Sequence, residues 1–468
     1  MKFTQKLSQL IIICCFLSLS MNSIPVFATA EEPLEAATPE PTPTILPAYL
    51  EPIQTDATEG WPAGPAVYAE STLVMDADTG TILYAKNIDE RKYPASITKI
   101  MTTLLAIENS TPNDWVTFSD HAIWGIERNS SHIGIRIGEV LSMKDCLYGM
   151  MLASANEVCL AVAEHISGDV PTFVEMMNRK AAELGCTNTN FTNPNGLPDE
   201  QHYTSARDMA LIARAAWQNE LFREVSATKT YKIGWTNKAG EARWLGNHHK
   251  MLWEDSGYYY EGCQGGKTGF TRVALNTLVT YATRDDRTLI CVSMRTNGPL
   301  VYTDTAALLD YGFQNFHNIT LDNTKKAEYS AYLMPYPAIF FNRYSAQTLS
   351  DLLKSAVISV PKGVTADNIT VQSTNESALI QRDLSYNGYV VGTDNIRQPE
   401  GVMNLSSSSS NSNGINDTLS KDLSTSKTPP AWTYPMLGLL FVLLIIVIIK
   451  IFFFILRIKR KKRKKKRR

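Results

Sequence analysis

The sequence is poor in cysteine and histidine and has no acidic residue at either end. It has seven cysteines and seven histidines in 468 residues. Cys14 and Cys15 fall in an apolar N-terminal stretch, where Ile13 replaces the small residue that a lipid-attachment site needs. Cys146, Cys159, Cys186, Cys263 and Cys291 are odd in number and irregularly spaced. That excludes a disulfide framework, and most of them read as small core residues. His248 and His249, with Cys263 downstream, lack both ligand spacing and a third ligand. No metal and no cofactor is therefore expected. No internal repeat is evident.

The missing acids separate the ends from the middle. Residues 1–30 contain Lys2 and Lys6, an apolar run from Leu10 to Leu19, and Ala28-Thr29-Ala30, the pattern of a cleaved secretory signal. Met436 to Leu456 is apolar except for Lys450, and 21 such residues span about 31 Å as a helix, a bilayer core. Trp432 and Tyr434 suit an interfacial belt, and Lys459 to Arg468 is unbroken Lys/Arg. Such a tail stays in the cytoplasm. The formal net charge of −1 hides a middle with 31 basic and 46 acidic residues. An exported segment that acidic has no nucleic-acid partner.

This gives a signal peptide over 1–30 and a disordered Pro/Thr/Glu-rich leader over 31–62. A first domain covers 63–318 and a small β-rich domain 319–400. A Ser/Asn-rich stalk over 401–431, a transmembrane helix over 432–456 and a basic cytoplasmic tail over 457–468 follow. The protein is expected in the cell membrane, single-pass, with its catalytic mass outside. In the first domain Thr72–Met75 and Thr81–Tyr84 read as strands, and a helical pattern follows Ser96. Helices are also expected from Met143 to His165 (broken at Ser154–Asn156), from Phe173 to Leu184, and from Ala206 to Trp217. Late strands cover Gly266–Val273, Leu275–Thr283 and Thr288–Arg295, before a helix over Thr303–Phe316. Strand, helices, strands predicts a sheet whose N-terminal hairpin pairs with late strands.

A Ser three residues before a Lys near a helix start brings hydroxyl and amine together. Such a lysine, if neutral, takes the serine proton. Ser-x-x-Lys alone is weak, because four copies occur: Ser96-Lys99, Ser226-Lys229, Ser359-Lys362 and Ser424-Lys427. Only Ser96 opens a convincing helix. An isolated Asn156 reads as a helix cap, and Lys267 and Thr268 as exposed strand residues. The order decides otherwise. Ser154-Ala155-Asn156 follows Ser96 by 58 residues, and Lys267-Thr268-Gly269, present once, follows by 171.

This ordered set resembles that of penicillin-binding proteins and serine β-lactamases. Tyr93–Lys99, Ser154–Glu157, Asn193–Pro198 and Ser205–Ala210 resemble, in order, blocks of the low-molecular-weight penicillin-binding proteins, the D-alanyl-D-alanine carboxypeptidases. The resemblance covers roughly Ala66 to Phe316. It implies an α+β, β-lactamase/transpeptidase-like fold, an antiparallel sheet with helices on both faces. A small all-β domain and one C-terminal transmembrane helix follow. It implies peptidoglycan stem peptides as substrates and β-lactam antibiotics as inhibitors. Ser96 is then the nucleophile and Lys99 its base, with Ser154 relaying a proton to the leaving amine. Asn156 holds the substrate amide, Lys267 supplies positive potential and Thr268 binds the terminal carboxylate. Gly269 completes the third motif, and the N–H groups of Ser96 and Phe270 form the oxyanion hole.

Two positions depart from the family pattern. Leu275 replaces a glycine after Thr271-Arg272-Val273-Ala274, and Asn247-His248-His249 stands for Asn-x-Asn. A β-lactamase remains an alternative, although no Glu-x-x-Leu-Asn is present. A catalytically inactive wall-binding homologue is a second. Transpeptidase and endopeptidase chemistry share the same expected site.

Overall fold

The computed structural model describes residues 48–127, 129–321, 356–376 and 379–397. The expected signal peptide, stalk, membrane span and tail lie outside these residues. Among the described residues no helix is long and apolar enough to cross a membrane.

The centre is a five-stranded antiparallel sheet. Its strands are β1 (Ser71–Asp76), β2 (Ile82–Lys86), β7 (Cys263–Thr271), β8 (Leu275–Arg284) and β9 (Arg287–Thr296), in the order β2-β1-β9-β8-β7. Two short pairs, β3 (Trp115–Thr117) with β4 (Val140–Ser142) and β5 (Thr230–Ile233) with β6 (Arg243–Gly246), lie outside this sheet. The N-terminal hairpin thus pairs with the late strands, Leu73 opposite Val292 and Val74 opposite Cys291. The β8–β9 turn is tight, with Asp285 and Asp286 both at positive φ (49° and 60°), the backbone of a two-residue hairpin loop.

The strands read as nearly continuous apolar runs because both faces are covered. Leu73, Met75, Val279, Tyr281, Ile290 and Val292 face one core. That core is closed by α1 (Lys99–Asn109), α3 (Met143–Met151), α4 (Asn156–Ser167) and α6 (Ala206–Trp217). The alternate residues Val74, Leu278, Ala282, Leu289 and Cys291 face a second core with Leu308 and Leu309 of α8 (Leu300–Asn315). The period of two along each strand assigns the residues to their faces. Two shorter helices, α2 (Asp120–Trp124) and α7 (Glu220–Ala227), and α5 (Val170–Glu183) complete the helical side.

Two expectations change. The leader does not run to 62. Ala48–Leu50 and Gln54–Ala57 form 3₁₀ turns, and Trp61 is buried with its indole N–H donated to Leu83 O at 2.9 Å. Lys86 Nζ also donates to the carbonyl of Ala48. The Pro/Thr/Glu composition masked a few apolar anchors in this segment.

The boundary expected at 319 falls inside β10 (Phe316–Thr320), which pairs with β11 (Val357–Pro361). Ile358, Val360, Leu384 and Val391 share the second core with Trp61, Tyr84 and Leu308. Arg287 ties these parts together. It bonds Asp76 Oδ2 at 2.8 Å, Phe316 O at 2.9 Å and Ser359 Oγ at 3.1 Å. The β content expected after 319 is present. β12 (Thr370–Glu376), β13 (Leu379–Tyr386) and β14 (Tyr389–Arg397) form a three-stranded sheet.

Candidate active site

Ser96 lies in a single 3₁₀ turn, Ala95–Thr98, that runs directly into α1 at Lys99. The i, i+3 spacing puts Ser96 Oγ 3.0 Å from Lys99 Nζ. Lys99 is fully buried and donates to two further oxygens, Asn156 Oδ1 at 2.7 Å and Asn195 O at 2.6 Å. An ammonium fills all three contacts as donor. A neutral amine keeps two of them and turns its lone pair to Ser96, with no rearrangement. Burial pushes the Lys99 pKa down to about 8, which makes the neutral form accessible.

The second motif sits between α3 and α4. Ser154 adopts φ 59°, and its buried Oγ has no hydrogen-bond partner among the described residues although it lines the cleft. That leaves the hydroxyl available to a group that enters the cleft. Asn156 opens α4, but Ala155 occupies the cap position and the Asn156 side chain is spent on Lys99. The capping alternative is thereby removed.

The third motif is on β7, the edge strand beside the 3₁₀ turn. Lys267 is buried and donates to Thr268 O at 2.9 Å. Burial, reinforced by the Lys99 charge, holds its pKa well below the usual lysine range. A Cβ on Gly269 would lie 2.4 Å from Thr277 Oγ1 and 2.8 Å from Ser96 N, so only glycine admits this approach. Thr277 Oγ1 donates to Pro94 O at 2.8 Å and ties the turn to β8.

Ser96, Ser154, Asn156, Thr268, Gly269 and Phe270 line one cleft of about 1040 Å³, with Lys99 and Lys267 buried in its surroundings. The structure therefore brings the three sequence motifs together. The other two described Ser-x-x-Lys pairs are structural. Ser226 is buried in α7 with its hydroxyl on Gln264 O, and Ser359 lies in β11 bonded to Asp76.

Asn195, inside the Asn193–Pro198 block, is not among the expected site residues. Its carbonyl, rather than its side chain, does the work, and main-chain atoms leave no residue-type signal. The usable signal was Gly196, at φ 87°, where a Cβ would lie 1.9 Å from Ala95 O. His202 holds the same loop. It accepts from Thr192 N at 3.0 Å on Nδ1, leaving Nε2–H for Thr98 Oγ1 at 2.9 Å.

The two departures have different meanings. Leu275 has φ 53°, in the left-handed region, which accounts for glycine in the pattern it departs from. His249 is buried, with Nε2 2.9 Å from Thr280 Oγ1, and burial depresses its pKa to about 4. His248 instead lines the cleft. Among the described residues no group of three or more His, Cys, Asp or Glu could hold a metal ion.

The sequence profile of Peptidase S11, D-alanyl-D-alanine carboxypeptidase, matches residues 58–298, more than half of the chain. The chain belongs to this family. It is 37% identical over 257 residues to D-alanyl-D-alanine carboxypeptidase DacF of Bacillus subtilis, covering 53% of this chain and 63% of that protein. It is 34% identical to DacA of Haemophilus influenzae, covering 64% of this chain and 74% of that one. The match thus spans under two thirds of the Bacillus relative. Among solved structures, the Streptomyces K15 DD-transpeptidase is 30% identical, with a TM-score of 0.51 over 54% of this chain and all of that one. Penicillin binding protein 6B from Escherichia coli is 26% identical, with a TM-score of 0.54 over 73% of this chain and 98% of that one.

Proposed function

We propose that the protein is a serine D-Ala-D-Ala carboxypeptidase acting on peptidoglycan stem pentapeptides. The observation that carries this is the buried Lys99 amine, held 3.0 Å from Ser96 Oγ by two fixed acceptors. Ser96 Oγ attacks the carbonyl carbon between the two D-alanines, and Lys99 Nζ takes its proton. The N–H groups of Ser96 and Phe270 hold the oxyanion, beside the glycine that lets β7 come so close. Ser154 passes a proton to the departing amine, so D-alanine leaves neutral at nitrogen and an ester remains on Ser96. Asn156 contacts the substrate amide, Lys267 adds positive potential, and Thr268 receives the terminal carboxylate. Water then hydrolyses the ester.

A β-lactam enters the same step. Its amide C–N bond opens, but the leaving nitrogen stays tethered, so the ester on Ser96 persists. This makes penicillin an inhibitor rather than a substrate. The charge segregation of the sequence supports export over residues 1–30 and anchorage by 432–456, with the catalytic domain outside the cell membrane.

The test is D-alanine release from a stem pentapeptide by the full-length protein in detergent, with penicillin turnover followed in parallel. D-alanine release together with a stoichiometric penicillin burst is the expected outcome. Sustained penicillin hydrolysis without D-alanine release would replace this reading by a β-lactamase. Neither reaction would leave a non-catalytic homologue.

A further inference from the structure

The cleft contains a cation that the chemistry above does not use. Lys250 lies in a 3₁₀ turn, Lys250–Leu252, and lines the cleft together with Tyr258, Tyr302 and Thr268. Its ammonium stands 5.6 Å from the Tyr258 ring centroid and 5.9 Å from that of Tyr302. The two rings stack at 5.0 Å and form a platform beneath it. Such placement over ring faces is favourable and positions the charge. Among the described residues Lys250 has no ion-pair partner.

The register of β7 says which part of a substrate this charge meets. Thr268 pairs with Leu278, and Lys267 with Val279. Directly opposed residues point to the same face of a sheet. Val279 belongs to the first core, with the helices that carry Lys99 and Asn156. Leu278 belongs to the second, against which Tyr258 and Tyr302 pack. Lys267 therefore points toward the reacting pair, and Thr268 toward the Lys250 platform. Arg272, the other cation on the lining, is on the exposed tip of the β7–β8 hairpin. Glu127 is the lining's single carboxylate among the described residues.

We propose that Lys250 is a specificity residue, the counter-charge for the free α-carboxylate of the substrate's last residue. It acts on the same face as Thr268. This rests on the D-Ala-D-Ala reading and deepens it. A site with an unpaired cation there favours a substrate whose last residue keeps a free α-carboxylate over one in which that group is amidated. Lys250 touches no reacting bond and sets which peptides bind productively.

The test uses the full-length protein in detergent and two synthetic stem peptides. One ends in D-Ala-D-Ala, and the other has its terminal carboxylate replaced by a carboxamide. Lys250→Ala should lower kcat/KM for the acid by about tenfold to a hundredfold, chiefly through KM, the range for losing one hydrogen bond to a charged group. It should leave the amide within about twofold, so the acid-to-amide preference collapses. Lys250→Arg should restore the preference, and Arg272→Ala should leave it intact. Equal losses on both peptides would reduce Lys250 to a packing role and overturn the proposal, as would no loss on either. A wild-type protein that releases no D-alanine would overturn the carboxypeptidase reading as well. Wild-type release with an unchanged preference in Lys250→Ala would remove Lys250 alone.

Discussion

A Cβ added to Gly269 would lie 2.8 Å from the backbone nitrogen of Ser96, closer than real Cβ contacts allow. The nucleophile's turn and the edge strand are thus spaced by the absence of a side chain. Gly269→Ala must push β7 away from Ser96, where displacements near 1 Å cost on the order of a hundredfold in rate. The expected result is a loss of about that size in the penicillin acylation rate, with the fold retained. Stopped-flow acylation and circular dichroism on one preparation check it. An unchanged rate would mean that the contact does not govern the site.

The pH dependence follows from Lys99. Its pKa is lowered to about 8 by burial, so the neutral base is scarce at pH 6 and abundant at pH 9. Acylation should therefore rise with pH and level off above about 8. The same shift acts on stability. The unfolded chain binds the extra proton between about 8 and the ordinary lysine value near 10.4, so Lys99 makes folding more favourable as pH rises through that window. A pH–rate profile of penicillin acylation from pH 6 to 10 checks the first point. A flat profile would contradict a neutral-lysine base.

Leu275 offers a reversal of the usual rule. Alanine normally stabilises relative to glycine, but here φ is 53°. A left-handed conformation costs an L-residue roughly 1–2 kcal/mol. Leu275→Gly should accordingly be more stable than Leu275→Ala, by about 1 kcal/mol after glycine's extra unfolded-state entropy is subtracted. Urea denaturation of the two variants measures this. Alanine as the more stable variant would place the residue in an ordinary conformation in solution.

Arg287 is predicted to be structural. Its guanidinium bonds Asp76, whose carboxylate is fully buried, and reaches Ser359 and Phe316. Arg287→Ala leaves that carboxylate without its counter-charge, a loss of about 3 kcal/mol. A lower denaturation midpoint with an unchanged acylation rate per folded molecule is expected. A fall in rate without a fall in stability would assign Arg287 to the site instead.

The sequence was informative wherever a side chain or a period carried the signal. The helix expected over Ala206–Trp217 has those bounds in the structure, and the break at Ser154–Asn156 separates α3 from α4. The three motifs meet in one cleft as their order implied. The misses have physical causes. Asn195 contributes a carbonyl, which any residue possesses. Ala48–Pro62 looked like leader because a few anchors, chiefly Trp61, hold it against a polar composition. The supposed boundary at 319 was a composition shift, whereas Ile358 and Val360 complete a core begun much earlier in the chain. Lys250 carried no motif, and only the two tyrosine rings, distant in sequence from each other, give it a position.

The most direct measurement is the mass of the peptide that carries the acyl group. Full-length protein, trapped with penicillin and digested, should show the adduct on Ser96. Ser96→Ala should show neither adduct nor D-alanine release from a stem pentapeptide. An adduct on another residue, or labelling retained in Ser96→Ala, would contradict the assignment of the nucleophile.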